Sequence, residues 1–246
     1  MALKEELEKQ GEWLFKWRSY LPLLILPIVL VALKDSEYME QVVGEMADDL
    51  WKGFCVTISF MGLIIRCITC GYVPKETSGR NTKRQKAGLL NTTGMYSIVR
   101  HPLYLGNFFI LLGMALFVEV WWLTLISVLA FWLYYERIII AEEGFLRREF
   151  GDLYLAWSGE TPAFLPKFRN WQKPDLPFSF KSVIAREYTT LFVIIASFSL
   201  IDITEDIFVE GKLDLAWIMV FASGFMLYLT LRALKKKTRI FYVEGR

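Results

Sequence analysis

Apolar residues in this chain come in long blocks, and this feature limits its possible folds most. Hydrophobic residues make up 54% of the 246 residues, and the mean hydropathy is +0.36. A soluble domain needs fewer apolar residues to fill one core, whereas a helix that crosses a hydrocarbon layer of roughly 30 Å needs about 20 in succession. The sequence therefore predicts an all-α integral membrane protein.

Six apolar blocks are long enough, or nearly long enough, to cross a bilayer as helices. We predict about six transmembrane helices, over residues 20–33, 53–73, 103–118, 121–140, 183–201 and 215–234. The short blocks at 20–33 and 103–118 would require flanking aromatic residues or a locally thinner bilayer. A short interfacial helix is expected before the first block, and a tight helical hairpin is expected between the third and fourth, with Trp121 and Trp122 as interface anchors.

Charge is distributed unevenly among the loops, and this predicts the orientation of the helices. The segments that follow the second and the last block are basic, with Lys75, Arg80, Lys83, Arg84, Lys86, Arg100, Lys235, Lys236, Lys237 and Arg239. The two loops on the opposite side are acidic. Because lysine and arginine are retained in the cytoplasm, we predict that both termini are cytoplasmic.

Composition gives no support to several other classes of protein. The net charge of +2 is too small to indicate a nucleic-acid partner. No metal site is expected, because Cys67 and Cys70 form a single CxxC pair and His101 is the only histidine in the sequence. We expect one domain over residues 1–246, with a catalytic core at about 74–182. The non-spanning part of that core is too short to fold alone, so an active site would be shared with the inner ends of the helices.

Residues 100–106, RHPLYLG, lie where a basic segment enters the third predicted helix. Pro102 suits the first turn of a helix, where a missing N–H removes no intrahelical hydrogen bond. Free N–H groups at such a helix start favour an anion, to which Arg100 adds positive charge, and Gly106 would let a ligand approach the backbone. An ordinary interfacial helix start explains these residues equally well.

Residues 142–157, EEGFLRREFGDLYLAW, follow the fourth predicted helix. Adjacent residues point about 100° apart on a helix, so one of Glu142 and Glu143 is expected to face the bundle and the other water. A carboxylate at the membrane boundary is a functional candidate, although pairing with Arg147 or Arg148 along the helix is the alternative. The apolar residues recur at helical spacing and predict an amphipathic surface helix that Gly151 breaks or kinks.

Taken together, the two segments resemble the isoprenylcysteine carboxyl methyltransferase and phospholipid methyltransferase superfamily. The signature of that superfamily is RHPxYxG, then two membrane spans, then EExxLxxxFGxxYxxY. RHPLYLG matches in full, and the second segment has Trp157 where tyrosine is usual. The resemblance covers residues 92–166, roughly a third of the chain.

This resemblance implies that S-adenosylmethionine binds between membrane helices under a cytosolic segment, and that a membrane lipid enters from the bilayer as the methyl acceptor. The implied cofactor-binding residues are His101, Pro102, Leu103, Tyr104, Gly106, Glu142 and Glu143. The candidate catalytic residues are Arg100, Glu143 and Arg147. The candidate acceptor-binding residues are Arg80, Lys83, Arg84 and Tyr154.

Residues 77–82 and 90–94 also resemble bacterial lipid A 1-phosphate O-methyltransferases, which implies a bacterial inner-membrane location. Methylating a phosphate requires no general base, because the attacking oxygen is already anionic and the enzyme has only to position the two reactants. Arg80, Lys83 and Arg84 would bind the phosphate charge, although the positive-inside distribution also explains them.

Other acceptors and other classes stay open at this point. Carboxyl methylation of prenylcysteine or N-methylation of phosphatidylethanolamine would use the same cofactor, but an ammonium acceptor must first lose a proton. Membrane sterol reductases, which use NADPH, share a related motif with a polar residue and asparagine where this chain has Pro102 and Leu103. A non-enzymatic scaffold would leave the order of the motifs unexplained.

Overall fold

The computed structural model describes residues 2–18, 20–33, 44–74, 88–211 and 214–245, which form helices and no β-strand. The α-helices are α1 Leu3–Trp17, α2 Leu26–Ala32, α3 Glu45–Tyr72, α4 Met95–Ile98, α5 Pro102–Phe117, α6 Trp121–Glu160, α7 Phe180–Glu205 and α8 Leu215–Lys237. Short 3-10 helices at Leu21–Ile25 and Phe168–Asn170, and a π-helical turn at Asp206–Glu210, complete the helical elements. The all-α prediction is confirmed.

Three helices of the described residues are long and apolar enough to cross a membrane: Met46–Tyr72 within α3, α6 and α8. The chain is therefore a membrane protein. Helix α5 is apolar but has only 16 residues, and the first predicted span consists of a five-residue 3-10 helix followed by the seven-residue α2. The count of six spans and their orientation stay predictions.

Helices α5 and α6 form the expected tight hairpin. They are joined by three residues, Val118, Glu119 and Val120, and both valines are buried against Leu33 and Leu123. Glu119 has a φ of +63°, a conformation that residues other than glycine adopt rarely. Packing of the two valines thus holds the turn in a strained form that reverses the chain within three residues.

Helix α5 packs closely against α3 along a row of small residues. A Cβ atom on Gly106 would lie 2.6 Å from the Arg66 Cγ and 2.8 Å from the Gly62 carbonyl oxygen. The Ser59 hydroxyl, one turn away from Gly62, donates to the Ile110 carbonyl at 2.9 Å. Small residues let membrane helices approach until their backbones touch, so this crossing sets the position of the RHPLYLG segment.

A buried ion pair attaches α7 to α3. The Arg66 guanidinium donates from Nε and Nη2 to the two carboxylate oxygens of Glu187, at 2.8 and 3.0 Å. The Cys70 thiol donates to the same carboxylate at 3.2 Å. Two charges this far from water are tolerated only when they are paired and hydrogen-bonded, so the pair specifies how α7 meets the rest of the bundle.

Helix α1 lies along the middle of α6. Gly11 faces the Arg137 carbonyl, and the Arg137 Nε donates to the Gln10 side chain at 3.0 Å. Glu8 pairs with Arg148. A helix is thus present where the sequence predicted one, and it packs on the helix that carries Glu142 and Glu143. Its position at the membrane interface stays a prediction. Helix α6 itself is kinked at Gly151, where φ is +51°, as the sequence predicted.

Glu119 is expected to make the stability of the hairpin depend on pH. Burial raises the pKa of its carboxyl to about 8, and the neighbouring Asp48 adds to the effect. A raised pKa stabilises the folded state below the unfolded value of 4.5, and this contribution disappears as the pH rises through about 8. The melting temperature of the wild type should therefore fall relative to that of Glu119→Gln as the pH rises from about 6 to 9.

The matched control is Asp49→Asn, which changes an exposed carboxylate on the same face of the bundle. Its melting temperature should follow that of the wild type over the whole pH range in the same detergent. Parallel curves for the wild type and Glu119→Gln would contradict a raised pKa at Glu119.

Candidate functional site

The backbone of the RHPLYLG segment is held by the chain that follows α6. The N–H groups of Arg100 and His101 donate to the carbonyls of Pro162 and Ala163, at 2.9 and 3.3 Å. Further along, the Lys167 N–H donates to the Ile98 carbonyl at 2.9 Å. The N–H groups of Arg100 and His101, which precede α5, are therefore occupied by a distant segment. Anion binding at the start of α5 itself stays a prediction. We call residues 161–172 the strap.

Glu143 joins the two motifs across α5 and α6. Its Oε1 lies 3.0 Å from the Nε2 of His101 and 3.3 Å from the Nε of Arg100. The His101 side chain is only 6% exposed and that of Glu143 is 24% exposed. Arg100, His101 and Glu143 therefore form one ionic cluster, partly shielded from water, where α5 begins.

Glu142 faces the same cluster from the next position on α6. The Tyr104 hydroxyl donates to its Oε2 at 2.9 Å, and the Nδ1 of His101 lies 3.7 Å from that oxygen. The rings of His101 and Tyr104 are stacked, with centroids 5.6 Å apart. The expectation that one carboxylate faces the bundle and the other water is corrected, because the His101 ring lies between the two and both side chains reach it.

The alternative interpretation of the sequence paired these carboxylates with arginines along the helix. Within the described part of α6, neither carboxylate makes such a pair. Arg148 pairs with Glu8 of α1, and Arg147 is exposed with no ion pair to the cluster among the described residues. Arg147 remains a candidate catalytic residue only as a prediction. Arg80, Lys83 and Arg84 lie outside the described residues.

The apolar members of the first motif are buried under the cluster. Pro102 and Gly106 are buried and Leu103 is half-buried. Gly106 contacts the Arg66 side chain and the Gly62 carbonyl of α3, so the helices can pack this closely only because residue 106 has no side chain. A contact between Gly106 and a cofactor stays a prediction.

Tyr154 and Trp157 continue the site beyond the kink in α6. The Tyr154 ring is buried, and its hydroxyl approaches Glu143 and Arg100 without closing a well-aligned hydrogen bond. The Trp157 Nε1 donates to the Tyr96 carbonyl at 3.0 Å. Trp157, which stands where the superfamily has tyrosine, thus ties α6 to the segment that leads into RHPLYLG.

Three polar residues next to the cluster were missed by the sequence analysis. Asn107 follows the first motif directly and donates from Nδ2 to the Tyr135 hydroxyl oxygen at 2.8 Å. The Arg66 Nη1 donates to the Asn107 Oδ1 at 2.6 Å. The Tyr135 ring lies 4.7 Å from the Tyr104 ring, measured between centroids. An arginine within an apolar block was the available signal, because a charge at that depth needs a partner.

The described ranges contain no group of three or more histidine, cysteine, aspartate or glutamate side chains that could hold a metal ion. The cluster instead offers carboxylate oxygens from Glu142 and Glu143 to a ligand with positive charge or hydroxyl donors. The cation of Arg100 and the imidazole of His101 hold Glu143 in place. This arrangement suits a polar ligand with several donors.

Comparison with known proteins gives one family model and several relatives. The model of the phospholipid methyltransferase family matches residues 79–153, which include both motifs. The protein-S-isoprenylcysteine O-methyltransferase of Schizosaccharomyces pombe is 36% identical over 85 residues, 35% of this chain and 36% of that protein. No solved structure matches the chain.

Two bacterial relatives match over longer stretches. The nickel-cobalt-cadmium resistance protein NccN of Alcaligenes xylosoxydans xylosoxydans is 32% identical over 146 residues, 58% of this chain and 62% of that protein. The cobalt-zinc-cadmium resistance protein CzcN of Cupriavidus metallidurans is 31% identical over 121 residues, 49% of this chain and 53% of that protein. The matches thus span between about a third and three-fifths of the lengths of these curated relatives.

The family match includes both motifs and falls on the helices that build the ionic cluster. In this part the chain is similar to the phospholipid methyltransferase family, and the isoprenylcysteine O-methyltransferase relative supports the superfamily that the two motifs resemble.

Proposed function

We propose that this protein is an S-adenosylmethionine-dependent membrane methyltransferase that acts on a lipid-like acceptor, with O-methylation of a lipid phosphate as the favoured reaction. The observation that carries the proposal is the union of both motifs in one cluster, in which Glu143 contacts Arg100 and His101 while Glu142 contacts Tyr104. The match to the phospholipid methyltransferase family supports the same reaction class.

The donor and acceptor groups of the cluster fit this cofactor. S-adenosylmethionine has a sulfonium cation, an ammonium group and ribose hydroxyls, and it supplies the methyl group when bound. Glu142 and Glu143 would bind its positive and hydroxyl groups, because carboxylates accept charge-assisted hydrogen bonds. His101 and Tyr104 orient the two carboxylates through the contacts already described. The strap holds the backbone of His101 through backbone hydrogen bonds.

The acceptor side needs positive charge and no base. A phosphate oxygen is anionic at neutral pH, so an enzyme has only to hold it in line with the methyl group. Arg100 is half-buried beside the cluster and is the described cation best placed to attract such an oxygen. A prenylcysteine carboxylate satisfies the same requirement. A phosphatidylethanolamine ammonium does not, because it must first lose a proton.

We place the reaction at the cytoplasmic face of a bacterial inner membrane. In the sequence a basic segment directly precedes the first motif, and lysine and arginine concentrate on the cytoplasmic side of membrane proteins. The cofactor would then enter from the cytosol and the lipid from the bilayer.

Removing either partner of the central contact should weaken cofactor binding. We expect Glu143→Gln and His101→Ala to bind S-adenosylmethionine roughly ten- to 100-fold more weakly, because a hydrogen bond to a charged group contributes about 1.5–3 kcal/mol. Calorimetry on purified protein measures the affinity. Glu149→Gln changes an exposed carboxylate on the same helix and should bind as the wild type does. Normal binding by both site variants, with unchanged melting temperatures, would contradict this assignment of the site.

The acceptor can be identified by transfer of a labelled methyl group. Purified protein is incubated with labelled S-adenosylmethionine and, in separate reactions, with lipid A, a prenylcysteine analogue or phosphatidylethanolamine. We expect the label on lipid A. Label on either other lipid would keep the methyltransferase and replace the acceptor. Binding of NADPH with no binding of S-adenosylmethionine would overturn the proposed function in favour of a reductase.

A further inference from the structure

A chain of hydrogen bonds of fixed direction leads from the buried ion pair to Tyr135. Arginine can only donate, so the Asn107 atom that lies 2.6 Å from the Arg66 Nη1 must be the amide oxygen. The Asn107 Nδ2 is then turned toward Tyr135, and it donates to the hydroxyl oxygen at 2.8 Å. Arg66 is itself held by both carboxylate oxygens of Glu187. The direction of each bond is therefore determined by the one before it.

This direction leaves the proton of the Tyr135 hydroxyl available. A phenol has one O–H donor, and the contact with Asn107 uses the oxygen only as an acceptor. Within the described part of the chain, no acceptor receives the Tyr135 O–H. Its neighbour Tyr104 differs, because that hydroxyl donates to Glu142. Of these two neighbouring tyrosines, Tyr104 uses its O–H donor within the cluster and Tyr135 does not.

Tyr135 lies on the bilayer side of the cluster. It precedes Glu142 by seven residues on α6, which is about two helical turns or roughly 10 Å. Its ring contacts the rings of Tyr104 and Phe131, with centroids 4.7 and 4.2 Å apart. The hydroxyl therefore lies between the charged cluster and the apolar part of α6, where the polar group of a lipid would meet the cofactor.

We propose that the Tyr135 hydroxyl donates a hydrogen bond to an anionic oxygen of the methyl acceptor, either a phosphate or a carboxylate. Tyr135 is thereby a residue that determines acceptor specificity. The proposal rests on the proposed function and adds the group that recognises the acceptor. An oxyanion offers lone pairs to the available O–H, whereas an ammonium group offers only donors. Arg66, Asn107 and Glu187 act as positioning residues that keep this proton directed away from α5.

Acceptor binding can be measured separately from the cofactor and from turnover. Protein in nanodiscs is titrated with lipid A, with a prenylcysteine analogue and with sphingosine, a long-chain amine without phosphate. For Tyr135→Phe we expect roughly tenfold or greater weakening of binding to whichever oxyanion lipid the wild type binds. Binding of sphingosine and of S-adenosylmethionine should stay unchanged. The two oxyanion arms distinguish a phosphate from a carboxylate acceptor.

Asn107→Asp tests the direction of the hydrogen bonds while retaining the Tyr135 ring. The new carboxylate would accept from both Arg66 and the Tyr135 O–H, and so would turn the proton away from the acceptor. We expect the same loss of oxyanion binding as in Tyr135→Phe. The matched control is Tyr134→Phe, because the adjacent Tyr134 hydroxyl donates to the Leu14 carbonyl of α1 and should not affect the acceptor.

The inference is overturned if Tyr135→Phe binds every oxyanion lipid as the wild type does, if it loses sphingosine equally, or if Asn107→Asp retains oxyanion binding. A wild type that binds none of these oxyanion lipids also overturns it. Melting temperatures identify any variant that is merely unfolded. If Tyr135→Phe does not fold, the oxyanion binding of Asn107→Asp decides the test instead. Failure of the wild type to bind S-adenosylmethionine would instead contradict the proposed function.

Discussion

The close approach of α3 and α5 at Gly62 and Gly106 is the constraint on which the site depends. A side chain on Gly106 would overlap the Arg66 stem and the Gly62 carbonyl, so the two helices could not stay at this distance. Because they do, Arg66 crosses the start of α5 and reaches Asn107 on one side and Glu187 of α7 on the other. A glycine of the RHPLYLG motif thus determines where a cation of another helix lies. Gly106 therefore contributes to the site through helix packing.

Two groups of charges inside the bundle are paired. Arg66 and Glu187 satisfy each other, and Arg100 and His101 share Glu143. Breaking a buried pair costs several kcal/mol, about 3–5, because the remaining charge stays out of water without compensation. The first pair joins α3 to α7 and has a bracing role. The second cluster retains exposed carboxylate surface, and this difference separates a structural ion pair from a site able to take a ligand.

Segments far apart in the chain build the cluster, and each has a separate physical task. The hairpin brings α5 and α6 together so that both motifs meet at the same end of the bundle. The strap accepts the N–H groups of Arg100 and His101 and so supports the entry into α5. Helix α1 pairs with Arg148 through Glu8, which occupies one of the two arginines that could have paired with the carboxylates along α6.

Apolar blocks, Gly151 and the order of the two motifs were sufficient to predict a helical membrane protein, a tight hairpin, a kink and a cluster containing His101, Tyr104, Glu142 and Glu143. The first three follow from composition and helical spacing, which are local properties, whereas the shared site follows from the resemblance of the two motifs to a known superfamily. The orientation of both glutamates toward one histidine, the occupied N–H groups of Arg100 and His101, and the chain from Glu187 to Tyr135 depended on tertiary structure. Each of these joins residues more than 20 positions apart, and no periodicity in a single sequence records which side chain will meet which across two helices.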